Sequence, residues 1–122
     1  MAELLKEIFY FQIIKPKNSF SVSLMSDGEL KLKETISGKK QENKSNISLV
    51  KRNTFFSDLE RLGFYSWPSN NDCGMCDDSS WVIMADFEGK KNRCFGVFGY
   101  EPDAWPEFLT LVERCIDIKL PL

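Results

Sequence analysis

Serine alternates with apolar residues across Ser19-Phe20-Ser21-Val22-Ser23-Leu24, and leucine alternates with lysine across Leu30-Lys31-Leu32-Lys33. A period of two over this length describes strands with one face buried and one face in water. The turn between them follows from register. A two-residue Asp27-Gly28 loop would set Leu24 opposite Lys31, mixing apolar and charged side chains on one face. A three-residue Ser26-Asp27-Gly28 loop instead pairs Leu24 with Leu30 and Val22 with Leu32, and gives Gly28 the left-handed position of a G1 bulge. This hairpin commits the chain to an antiparallel sheet that needs a cover on one side.

The rest of the chain supplies that cover. A strand from near Lys6 through Ile8–Ile14 (IFYFQII) precedes the hairpin and closes at Pro16. Residues 37–46 carry no apolar side chain and read as a connector. A helix near 53–62 follows, capped by Asn53 or Thr54, with Phe55, Phe56, Leu59 and Leu62 as its stripe and Gly63 at the left-handed C′ position. Residues 66–79 form a long loop. Trp81, Ile83, Ala85 and Phe87 then start a hairpin that returns through Glu88–Asn92 into residues 93–100. Both of its strands are apolar on two faces, which predicts a central place in the sheet. A final helix opens at Asp103 and turns Trp105, Phe108, Leu111, Val112 and Cys115 inward. The order β-β-β-α-β-β-α gives an α+β domain spanning 1–122, with a single antiparallel sheet of about five strands and two helices packed on one face. Phe55, Phe56, Leu59, Leu62, Trp81, Ile83, Phe95, Val97, Phe108, Leu111 and Val112 are its expected core.

No histidine occurs in the 122 residues. That excludes Ser-His-Asp and Cys-His catalysis, zincin motifs and metal sites that need an imidazole. No other catalytic constellation appears, so a non-enzyme is expected, with no cofactor. A carboxylate enzyme would need Asp86, Glu88 and Tyr100 to converge on a pocket. Glu3 and Glu7 stand where a signal peptide would be basic, and no apolar run reaches membrane-spanning length. The expectation is a cytoplasmic protein with reduced thiols at Cys73, Cys76, Cys94 and Cys115, and no membrane partner.

Cys73-Gly74-Met75-Cys76 is the one short motif with chemistry of its own. A zinc ribbon would show a second C-x-x-C, whereas Cys94 and Cys115 fall on a strand and a helix stripe and read as small buried apolar residues. Asp72, Asp77 and Asp78 disfavour thiolate at this loop, the wrong direction for a redox nucleophile. A metal or redox site at Cys73 and Cys76 is therefore the alternative reading. The leading one comes from charge. Residues 1–66 hold 11 Lys/Arg against 8 Asp/Glu, net +3, and residues 67–122 hold 5 against 10, net −5. The basic part lacks the interleaved aromatics of a nucleic-acid platform. The acidic part suits a basic protein partner. Trp67, Asp72, Asp77, Asp78 and Trp105, an acidic loop with flanking aromatics, are the candidate contact surface.

One resemblance covers most of the chain. Trp81-Val82-Ile83, then Arg93-Cys94-Phe95-Gly96, then Gly99-Tyr100-Glu101-Pro102-Asp103-Ala104-Trp105 and Glu107-Phe108 form a cadence W-x-I…R-x-F-G…G-Y-x-P-x-x-W-x-x-F. It resembles a widespread group of small bacterial proteins in which a strand hairpin feeds a G-Y-P-x-x-W helix opening. Here Glu101 separates Tyr100 from Pro102, where the group's pattern sets Pro directly after Tyr. The Asp27-Gly28 hairpin and Phe55-Phe56-Ser57-Asp58-Leu59 look similar as well. The resemblance implies a bacterial source and an α+β fold, and it carries no catalytic residues. By analogy of size and compartment, the expected class is a protein-interaction module of the immunity-protein or inhibitor kind.

Overall fold

Strand β1 (Glu7–Ile14) lies in the middle of the sheet, antiparallel to β2 (Asn18–Met25) on one side and to β6 (Ser80–Phe87) on the other. The computed structural model describes residues 6–71, 79–118 and 120. Its sheet has the order β4-β3-β2-β1-β6-β7-β5, where β3 is Glu29–Ile36, β4 Lys39–Asn46, β5 Asn70–Asn71 and β7 Lys90–Val97. Six long strands are antiparallel, and the two-residue β5 runs parallel to β7. Helices α1 (Leu49–Arg61) and α2 (Trp105–Ile116) cover one face. From β1, Phe9 packs on Phe55 of α1 (ring centroids 4.8 Å) and Phe11 on Phe108 of α2 (5.0 Å), so both helices share that side.

The first hairpin has the expected register: Val22 lies opposite Leu32, Leu24 opposite Leu30, and Gly28 has φ 96°. A Cβ on Gly28 would come within 2.8 Å of the Ile47 carbonyl oxygen, so the turn needs glycine for space as well as for conformation. Gly63 ends α1 at φ 81°, its N–H bonded to the Glu60 carbonyl, and Phe64 beyond it is buried.

Four expectations need correction. Residues 37–46 are not a connector: Ser37 (φ 50°) and Gly38 (φ 84°) make a tight turn, and β4 pairs along the whole of β3. Neither face of β4 is covered, so the strand is held by its backbone ladder and needs no apolar residue. Helix α1 begins at Leu49, four residues before the expected start, because Ser48 caps it by accepting a hydrogen bond from the Lys51 N–H at 3.1 Å. Its first-turn residues Leu49 and Val50 face water, so the buried stripe could not mark them. The β6–β7 turn is the two residues Glu88-Gly89, both at positive φ. Finally, Ala104 rather than Asp103 precedes α2, and the Trp105 N–H closes a turn on the Pro102 carbonyl.

The expected core holds for Phe55, Phe56, Leu59, Trp81, Ile83, Phe108 and Val112, all buried. Leu62 and Leu111 are half-buried against it. Phe95 is 45% exposed, however, and Val97 is only half-buried. Register explains both. Ile83 pairs with Cys94 and Trp81 with Gly96, so Cys94 and Gly96 take the inward positions of β7 and Phe95 and Val97 point to the opposite face.

Candidate functional site

Pro102 and Pro106 bracket the start of α2, which sets Trp105 at the helix's first residue above the sheet. Its ring meets Trp81 at 5.0 Å, Phe108 at 5.8 Å, Phe11 at 5.9 Å and Phe98 at 6.3 Å. Trp67 follows a 3-10 turn over Phe64–Ser66 and reaches the other side of Phe108 at 6.0 Å. The two predicted tryptophans therefore converge on one phenylalanine. Both are half-buried and close the end of the core. Asn92 fixes Trp67 from β7, its Nδ2 donating to the Phe64 carbonyl (2.8 Å) and the Trp67 carbonyl (3.1 Å).

Asp72, Asp77, Asp78, Cys73 and Cys76 lie outside the described residues. Their attachment points are described. On one flank, Asn70 and Asn71 pair with Phe95 and Gly96 along the outer side of β7, and the Phe95 N–H donates to the Ser69 carbonyl. On the other flank, Ser80 begins β6 on the inner side of β7 and pairs with Val97. Both flanks thus meet the last residues of β7, the end of the sheet nearest Trp105, while Trp67 sits further back along β7, level with Asn92 and Cys94.

Sequence reasoning missed what surrounds these attachment points. On the face away from the helices, Val82 lies opposite Phe95, Met84 opposite Arg93, and Ser80 joins Ile14 to Val97. Ile14 (43%) and Phe95 (45%) are exposed there, and Tyr100 (50%) follows just beyond β7. Apolar residues on both faces of β6 and β7 were the available signal. They indicate a second apolar surface rather than burial on both sides.

The chain exits β7 through Gly99 at φ 103°, whose N–H donates to Glu101 Oε1 at 2.8 Å. Glu101, the residue that separates Tyr100 from Pro102, therefore has a local job: its carboxylate holds the turn.

The buried thiols Cys94 and Cys115 are each pushed up to about 11 by desolvation, which keeps them protonated and unreactive as nucleophiles near neutral pH. Among the described residues, no group of three or more Cys, Asp or Glu converges to hold a metal ion. Among the described residues, Asp86, Glu88 and Tyr100 do not converge on one cavity. Asp86 pairs with Lys6 at 2.8 Å, and Glu88 sits in the β6–β7 turn beside Tyr65, Glu60 and Lys90. Burial first, then Glu60, Asp86 and Glu88, hold the Tyr65 phenol above its ordinary range. Tyr100 lies past the opposite end of the same hairpin. No helix among the described residues is long and apolar enough to cross a membrane. In comparisons with known proteins, no family model and no curated protein matches this chain.

Proposed function

We propose that this chain is a non-catalytic interaction module of the bacterial cytoplasm, of the immunity or inhibitor kind, that binds a basic protein. The observation that carries the reading is the apolar surface of β6 and β7 on the side without helices, exposed at Phe95, next to the points where the acidic segment joins the sheet. Apolar area beside an acidic segment suits a selective protein contact, even with Arg93 on the same face: the apolar part supplies affinity, and the acidic segment supplies steering and choice of partner. Asp72, Asp77 and Asp78 supply the charge. Trp67 and Trp105, half-buried against Phe108 on the helix side, stand apart from this apolar surface.

The test is affinity capture from cytoplasmic extract of the organism that encodes the chain, run in parallel with three variants. The wild-type chain should retain a basic polypeptide in stoichiometric yield. Asp72/Asp77/Asp78→Ser and Phe95→Ser should each lose it, and Lys33→Ser, on a distant strand, should keep it. Raising salt should weaken the capture, because exposed charges are screened beyond about 8 Å at physiological ionic strength. Capture of nothing stoichiometric, or equal capture by all four chains, would reject this surface.

A further inference from the structure

We propose that β4 is a self-association edge, through which a second copy of this chain adds antiparallel to form one continuous sheet across a twofold axis. β4 is the outermost strand of the sheet, and every residue from Lys39 to Asn46 is exposed. The Ile47 N–H donates to the Gly28 carbonyl at 2.9 Å. By the alternation of an antiparallel ladder, Ser45, Asn43 and Gln41 also turn their backbone groups toward β3. Lys40, Glu42, Lys44 and Asn46 then turn theirs outward, where no described strand receives them. Unpaired edges of this length are templates for another strand.

The side chains select the partner and the register. A twofold axis perpendicular to the sheet keeps each face on its own side, so outward residues must pair with outward residues. With Asn43 opposite its own copy on the axis, Glu42 faces the partner's Lys44 and Lys40 faces the partner's Asn46. Both pairs recur by symmetry, and each exchanges two N–H···O bonds. Gln41 faces the partner's Ser45 on the other face. Shifting the axis to Glu42 would set glutamate against glutamate and Lys40 against the partner's Lys44, which like-charge repulsion disfavours. An axis at Gln41 would also set Lys40 against the partner's Glu42, but it overlaps only Lys39–Asn43, whereas the Asn43 axis overlaps Lys40–Asn46 and adds a partner's charge to the Glu42–Lys44 contact that each strand already makes at 4.0 Å.

A second observation agrees. Ile36 (46% exposed) lies at one end of the edge, and Leu49 (58%) and Val50 (75%) lie at the other. Antiparallel pairing brings the partner's Ile36 end to the Leu49–Val50 end, twice. Ile36 has the parity of buried Leu30 and Leu32, so it belongs to the face that carries the helices. This edge is on the far side of the sheet from the acidic segment, so the two surfaces are independent.

Sedimentation equilibrium of the full chain from about 1 μM to about 1 mM should show reversible dimerisation. Glu42→Lys sets lysine against lysine at both symmetric pairs and should weaken association about tenfold or more. Lys44→Glu should do the same, and the double exchange Glu42→Lys/Lys44→Glu should restore it. Hydrogen exchange adds a local readout: the Lys40, Glu42, Lys44 and Asn46 amides should gain protection as concentration rises, while those of Gln41, Asn43 and Ser45 stay unchanged. A monomer across the whole range, or a dimer indifferent to the single exchanges, would overturn the proposal. So would a double exchange that fails to restore association. Asp72/Asp77/Asp78→Ser should leave the dimer intact, which keeps this result separate from the partner-binding reading.

Discussion

Phe108→Ala and Phe95→Ala delete the same atoms, one set from helix α2 on the covered side of the sheet and one from β7 on the uncovered side, so their comparison isolates the effect of cover. Phe108 has no exposed surface and meets four rings, those of Phe9, Phe11, Trp67 and Trp105, at centroid distances between 5.0 and 6.3 Å. Its removal leaves a cavity walled by rigid aromatics that cannot collapse into it. Phe→Ala at such a site costs about 3–5 kcal/mol, and the ring contacts, each worth about 0.5–1.5 kcal/mol beyond area, place it in the upper part of that range. Phe95 is 45% exposed, so only about half of a full transfer term of roughly 1.5–3 kcal/mol is lost, and no closed cavity forms. The expected cost is about 1 kcal/mol. With a urea slope of about 2 kcal/mol/M, Phe108→Ala should lower the unfolding midpoint by about 2 M and Phe95→Ala by about 0.5 M. Far-ultraviolet circular dichroism is the assay of choice, since tryptophan fluorescence would report the loss of Phe108 locally through Trp67 and Trp105. Equal midpoints for the two variants would refute the assignment of Phe95 to an uncovered face. A Phe108→Ala shift smaller than that of Cys73→Ser would mean that the cysteine segment, not the aromatic cluster, organises the domain.

Further outcomes follow from the turns and thiols. Gly28→Ala should destabilise by about 2 kcal/mol or more, and Gly63→Ala by about 1 kcal/mol, when both are followed by thermal unfolding. Each puts a Cβ on a left-handed residue, but only at Gly28 does that Cβ press on backbone, the Ile47 carbonyl. Cys94 and Cys115 should resist alkylation at pH 8 in the native chain and react on unfolding, as mass spectrometry would record. The same thiols make stability fall with rising pH. The native chain holds both protons up to about 11 while the unfolded chain releases them near 9.0, so the native state binds more protons between those values; below that window the thiols contribute no pH dependence. Elemental analysis of protein purified without chelator should find less than about a tenth of an equivalent of zinc or iron, since a structural zinc bound by roughly 10 kcal/mol would survive purification.

What the sequence makes legible divides along a physical line. Register within β2–β3 can be read because one face of that hairpin is buried, so a slip by one residue would move Val22 and Leu24 into water. Strand β4 cannot be read in the same way, because Lys39–Asn46 packs against nothing and its conformation comes from backbone pairing with β3. The Ser37-Gly38 turn is the available mark, a small pair between Ile36 and Lys39 that permits two residues of positive φ. The start of α1 is hidden for a related reason: Leu49 and Val50 are apolar but exposed, so the stripe begins later than the helix and only the Ser48 cap records the true start. Of the candidate site, Trp67 and Trp105 are legible as loop-adjacent aromatics. Trp105 meets Phe108 as its i,i+3 neighbour on α2, which helical spacing already implies, whereas the approach of Trp67 to Phe108 is a tertiary contact with no local trace.

Strands β6 and β7 show why pattern alone does not separate a core from a contact surface. Alternating apolar residues on both faces of a strand arise when both faces are packed, and equally when one is packed and the other awaits a partner. The two cases differ in how much of the chain is left to provide cover. Helices α1 and α2, thirteen and twelve residues long, both lie over Phe9 and Phe11 on one side of six long strands. That side therefore takes Trp81, Ile83 and Cys94, and the same two strands present Val82, Met84, Phe95 and Val97 opposite. The exposure of Phe95 follows from counting covering elements against apolar faces: two amphipathic helices can satisfy one face of such a sheet, and the apolar residues of the other need a different occupant. The proposed basic partner seated across β6 and β7 would be such an occupant, and Phe95→Ser combined with intact folding is the variant that separates its loss from a loss of core.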